Sequence, residues 1–169
     1  MAWLATPDGA YSTTFDDGPA ADNLKDRTYF KQLMAQREVS GQAMVSAVSG
    51  QRVTVGGIPI VRAGRVIGAV GVETSCRRIM EVVDSYYQLP KDLLFLVIDD
   101  AALIILHSEH DRIFQTPEMG EPSMAAAVKR IIAEPSGTVA YGARGQKRIA
   151  AFNRSDILGW HFMVARTLS

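Results

Sequence analysis

The sequence predicts an α+β fold: two successive antiparallel sheets, each with helices packed to one side. Three observations predict it. Short alternating stretches are joined by tight turns, as at Pro7-Asp8-Gly9, Arg62-Ala63-Gly64-Arg65 and Ala143-Arg144-Gly145-Gln146, which favours hairpins over crossovers. Apolar stripes of helical period fall between groups of strands, not after every strand. The order of the first half recurs from Leu93 to Thr167, as a pattern and without a residue-level repeat.

Trp3 to Thr6 and Ala10 to Phe15 read as paired strands, and Asp16-Asp17-Gly18-Pro19 ends the second. Asp22 and Asn23 are cap-competent, and Phe30, Leu33, Met34 and Arg37 set a helical rhythm, so a helix is expected from about Asn23 to Arg37. Val39 to Gly50 is small and polar and reads as a loop, with a short strand at Ala43 to Val48 as the alternative. Gln51 to Val61 alternates as a strand, with Gly56-Gly57 marking a bulge or a close backbone approach and Pro59 needing a non-donating position. Val66 to Val72 returns. Ser75 caps a second helix striped by Ile79, Val82, Val83 and Tyr86 and stopped by Leu89-Pro90, a natural bridge between two units.

Leu93 to Ile98 is apolar on both faces and so belongs inside a sheet. Asp99-Asp100-Ala101-Ala102 turns it into Leu103 to His107. A polar loop, Ser108 to Gly120, precedes a helix capped by Ser123, striped by Met124, Ala127, Val128, Ile131 and Ile132, and closed by Pro135. Thr138 to Tyr141, Arg148 to Phe152 and a last strand from Leu158-Gly159-Trp160 complete the second half, with Trp160, Phe162 and Val164 on one face.

Composition narrows the function. Hydrophobic residues make up 47% of the 169 residues and charged residues 21%, which is the balance of a globular chain. The 18 basic and 18 acidic residues cancel, and there is no basic tract, so no nucleic-acid partner is expected. No stretch matches a membrane span of roughly 20 apolar residues; the most apolar one, Leu93 to Leu106, is interrupted by Asp99 and Asp100. The single cysteine, Cys76, excludes a disulfide within the chain and reads as a small buried or helix-start residue.

The richest stretch for chemistry is Leu24 to Leu33. Arg27, Tyr29 and Phe30 fall at or just before the first helical turn. A guanidinium there can fork to a carboxylate between aromatic walls. The ordinary alternative is that Arg27 pairs with Asp26 or Glu38 while the rings serve the core.

Asp26-Arg27-Thr28-Tyr29-Phe30, Val53-Thr54-Val55-Gly56-Gly57-Ile58-Pro59-Ile60 and Gly64-Arg65-Val66-Ile67-Gly68-Ala69-Val70-Gly71-Val72-Glu73, in that order and spacing, resemble the double Cache sensor domain. That family is the extracytoplasmic ligand-binding part of bacterial chemoreceptors, sensor histidine kinases and some cyclic-dinucleotide enzymes. The resemblance covers nearly the whole chain. It implies two tandem PAS-like units: a membrane-distal, ligand-binding unit over residues 1–89 and a smaller membrane-proximal unit over residues 90–169. It also implies a long N-terminal helix, two membrane helices and a cytoplasmic output module outside these residues, with Met1 an expression start. The membrane is then reached only through the missing flanking helices, and a homodimer is expected in the full-length receptor.

By the same resemblance Arg27 holds a ligand carboxylate, Tyr29 and Phe30 wall the site, and Glu73 takes the ligand's positive group. Residues 39–50 would cross the mouth of the pocket. The family usually has tryptophan then tyrosine where Tyr29 and Phe30 stand, a tyrosine a few residues upstream where Asp22 and Asn23 stand, and aspartate at position 73. The expected ligand class is therefore a small carboxylate, an amino acid or an amine. For Glu73 the alternative is a solvated strand end or a partner of Arg77.

No catalytic constellation is expected. His107, His110 and His161 are not spaced with a serine or Cys76 in a known nucleophile pattern. His107-Ser108-Glu109-His110-Asp111 lacks the helical spacing of a zinc protease and reads as loop. No glycine loop sits at a strand-to-helix turn, and neither haem nor flavin has a signature, so no cofactor is expected. The leading reading is a non-enzymatic sensor module. A ligand-free dimerisation or scaffold module, its first pocket filled by side chains such as Met34 and Met44, is the alternative.

Overall fold

The computed structural model describes residues 1–15, 18–90, 92–117 and 121–168. Asp16 and Asp17, expected to end the second strand, and residues 118–120 of the expected polar loop lie outside these. The chain forms two compact units, Met1–Ser75 and Cys76–Ser169.

The first unit is a five-stranded antiparallel sheet of β1 (Ala2–Ala5), β2 (Tyr11–Thr13), β3 (Val39–Val45), β4 (Arg52–Arg62) and β5 (Arg65–Ser75), in the order β2-β1-β5-β4-β3. One helix, α1 (Thr28–Met34), packs Tyr29, Phe30 and Leu33 onto a core that includes Trp3, Leu24, Val53, Val55 and Ala69. Met34 and Met44 pack partly buried against that core.

The second unit repeats the arrangement. Its strands β6 (Leu93–Ile98), β7 (Ile104–His107), β8 (Ser136–Ala143), β9 (Gln146–Arg154) and β10 (His161–Thr167) take the order β7-β6-β10-β9-β8. Counted within each unit, both orders are the same. The α+β class and the tandem PAS-like layout are those the sequence predicts. Helix α2 (Cys76–Tyr87) contacts β7, and α3 (Pro122–Ala133) lies along β8, with Ala127, Val128 and Ile131 buried. The division after Ser75 and the one expected after residue 89 differ by α2 and its exit.

Several elements depart from expectation for local reasons. The first helix has seven residues because Asn23 does not cap it: its side chain accepts the Lys25 amide at 2.8 Å, forming a separate turn. Residues 39–50 are mostly strand, since β3 pairs with β4 along its length apart from a bulge between Val39 and Gln42. An edge strand keeps one side in water, so it tolerates the polar composition that reads as loop. Gly56 and Gly57 stay in register with Val72 and Gly71, and the bulge of β4 lies between Ile60 and Val61. Pro59 lies beyond Gly57, the last residue of β4 with a β3 partner, so the missing donor disrupts only one ladder.

Helix α2 buries Cys76 and Met80, while Val82 and Tyr86 are exposed, Tyr86 at 81%. The buried stripe is thus rotated from the expected one. Ser123 lies within α3, not at its cap, and its hydroxyl accepts the Gly142 amide of β8 at 2.9 Å. The glycine-free turn after β6 is held by Asp99, whose carboxylate accepts the amides of Ala101 and Leu103 at 2.9 and 2.8 Å. Ala102 supplies the left-handed φ of 61°. Trp160 precedes β10, and its ring stands 6.1 Å from that of Phe162.

Candidate functional site

The first unit's sheet carries an aromatic wall on its buried face. Trp3 comes from β1, and the ladder sets it opposite Gly71 of β5, which is opposite Gly57 of β4. A Cβ at Gly71 would lie 2.2 Å from the Trp3 ring, and one at Gly57 would lie 3.2 Å from Leu33 and 3.5 Å from Trp3. Glycine is required there because the indole occupies the space of a side chain. Against the indole stands Tyr29, with ring centroids 5.9 Å apart and planes tilted by 48°.

Tyr29 and Phe30 are each 1% exposed. The Tyr29 hydroxyl and the Trp3 indole N–H are buried without a hydrogen-bond partner among the described residues. Burial pushes the Tyr29 phenol above its ordinary range. The negative charges of Glu73 and Asp22 push it the same way, and Arg27 pulls it back. Tyr11 is raised too, first by burial and then by Asp22, to which it donates its hydroxyl hydrogen.

Arg27 and Glu73 are therefore both close enough to Tyr29 to act on its phenol. Arg27 sits half-buried at the N-terminal boundary of α1 and makes no ion pair among the described residues, with Asp26 and Glu38 included. Glu73, near the end of β5, accepts a hydrogen bond from the buried Ser46 hydroxyl at 2.8 Å. Arg77 pairs instead with Glu81, at 3.6 Å. Phe30 lies in the same core as Tyr29. An open depression of about 290 Å³ in this unit, floored by Gly56, Gly57, Ile58, Val70 and Val72, contains none of the four expected residues.

Sequence reasoning missed Trp3, Tyr11, Asp22 and Ser46. The pairing of a β1 tryptophan with glycines on two neighbouring strands was the available signal for Trp3. Asp22 lies only five positions before Arg27 but reads as a cap residue.

In the second unit His107 lies in β7, and its Nδ1 accepts the Glu109 amide at 2.8 Å. Burial pushes its pKa down to about 4, helped by Arg112 and Arg148 against the pull of Glu109. His110 stands 3.6 Å from Asp84. Among the described residues no three histidine, cysteine or acidic side chains could share a metal ion. Asp100 bonds the buried His161 Nε2 at 2.9 Å, and that bond, more than the nearby Arg154, holds its carboxyl below the usual range. Cys76 is buried. No helix among the described residues is long and apolar enough to cross a membrane.

The fold defined by these two units is that of bacterial chemoreceptor ligand-binding domains. The ligand-binding domain of the Pseudomonas aeruginosa amino acid chemoreceptor PctB, in complex with L-arginine, superposes with a TM-score of 0.73 at 17% identity, over 98% of this chain and 70% of that one. The ligand-binding domain of Pseudomonas fluorescens CtaA with L-alanine gives 0.75 at 15% identity, over 98% and 71%. That of Campylobacter jejuni Tlp3 with 4-methylisoleucine gives 0.69 at 13%, over 98% and 64%. This chain thus spans about two thirds of the length of its structural neighbours. No family model and no curated protein matches the sequence.

Proposed function

We propose that the chain is the extracytoplasmic sensor part of a membrane receptor, without enzymatic activity, and that its first unit binds a small polar metabolite. The ligand is an amino acid, a short carboxylate or an amine. Arg27 receives the carboxylate, Glu73 the positive group or a hydroxyl, and Tyr29 and Phe30 wall the site.

The observation that carries this reading is the Tyr29 hydroxyl. It is buried and unpartnered, with Arg27, Asp22 and Glu73 around it. An unsatisfied buried polar group costs about 1–3 kcal/mol. A zwitterion would supply the partner and meet charges of both signs. The structural neighbours, which carry amino acids, support the same ligand class. In the parent receptor a ligand changes output only by its differing affinity for two states. Homodimerisation belongs to that full-length protein.

The test is a thermal-shift screen of amino acids, short carboxylates and amines, repeated on Arg27→Ala. At about 100 times its dissociation constant a ligand adds roughly 2.7 kcal/mol of stability. A carboxylate-bearing hit that Arg27→Ala loses is the expected result. A hit that survives the substitution would remove Arg27 from the site, and a well-folded chain silent to the whole panel would favour the scaffold alternative.

A further inference from the structure

The second unit contains a cavity of about 200 Å³ between α3 and the sheet. It is a half-open pocket roomy enough for a small organic molecule. Leu96, Ile104, Met124, Ile131 and Met163 make its walls apolar. Its polar lining gathers around His107.

Three features of that lining select a ligand. Arg148 donates to the Tyr141 hydroxyl, but its Nε is buried with no partner. His107 uses Nδ1 to accept the Glu109 amide, so the neutral ring carries its hydrogen on Nε2. Arg112, which also lines the cavity, is paired with Glu109 at 3.5 Å. One guanidinium N–H and one imidazole N–H match the two oxygens of a carboxylate. A cation would meet three arginines, Arg112, Arg144 and Arg148. A polyanion would meet Glu109 and Glu121, which also line the cavity.

We propose that this cavity is a second ligand site, independent of the first unit, which takes a monocarboxylate with a short apolar tail. The Arg148 guanidinium and His107 Nε2–H receive the carboxylate, and the tail lies among the leucine, isoleucine and methionine side chains.

The methionines make the test direct. In the intact chain with ¹³C-methyl methionine, butyrate, pentanoate and hexanoate are titrated in turn. Met124 and Met163 line the cavity, whereas Met34 and Met44 pack on the first unit's core. The expected result is a saturating shift of the Met124 and Met163 methyls that persists in Arg27→Ala, whatever Met34 and Met44 do. Affinity should tighten about four-fold per added methylene. Arg148→Met should weaken hexanoate by about ten-fold or more, while Arg27→Ala leaves it unchanged. No saturation, or shifts confined to Met34 and Met44, would overturn the proposal. So would hexanol binding the wild-type chain as tightly as hexanoate, an outcome independent of whether Arg148→Met folds. Because Arg27 is outside this cavity, failure here leaves the first-unit reading standing, and the reverse holds.

Discussion

At Tyr29 burial and hydrogen bonding are at odds. The ring earns its place against Trp3 and the α1 core, yet its hydroxyl has no partner among the described residues. Native proteins leave few such groups, and each calls for a reason. A ligand-binding role supplies one. Gly71 shows the opposite case, a position where packing leaves no slack. Gly71→Ala would place a Cβ 2.2 Å from the Trp3 ring and 2.7 Å from the Gly56 carbonyl. We expect it to lower unfolding stability by about 1–3 kcal/mol, the usual range for overpacking. An unchanged urea midpoint would show that Trp3 does not occupy this space in solution. At this scale the sequence exposed the chemically loud residues. Arg27 and Glu73 stood out as charges at element boundaries. Trp3, Asp22 and Ser46 did not, because their roles arise from long-range pairing, such as the Ser46 to Glu73 bond across 27 positions.

Among elements, those with strong periodicity were legible and those set by tertiary context were not. The stripe of α3 is buried much as its spacing implies. The stripe of α2 is not, because its partner surface selects Cys76 and Met80 over Val82 and Tyr86. A seven-residue helix such as α1 has little stability alone and depends on Tyr29, Phe30 and Leu33. The cavity beneath α3 was not legible, since it is defined by where side chains stop.

His107, at the end of β7, gives that element a measurable pH response. Its folded pKa of about 4 lies below the ordinary 6.5. Between the two values the unfolded chain binds a proton that the folded chain does not. Stability is therefore full above pH 6.5 and falls as pH drops toward about 4. The fall should be on the order of 2–3 kcal/mol. Denaturant unfolding of wild type and His107→Gln across that range isolates this group from the carboxylates. The variant should lose less stability than wild type; equal losses would mean that the ring is not buried neutral.

Over the whole molecule, two sheets with one strand order arise from halves that share no residue-level repeat. Turn chemistry and strand alternation carry that information, so the architecture was legible while several element boundaries were not. The neighbours at 13–17% identity keep this fold in common. The ligand site proposed for the first unit rests on a core that leaves the Tyr29 hydroxyl and the Trp3 indole N–H without partners among the described residues.

That claim is tested most directly by Tyr29→Phe, which removes only the hydroxyl. Thermal unfolding of wild type and variant, each with and without the strongest amino acid or carboxylate from the screen, gives both readouts. The account predicts a ligand-free variant as stable as wild type or more so, with affinity weakened by about ten-fold. A variant that loses stability without ligand and binds as tightly as wild type would contradict it, making the hydroxyl a structural group.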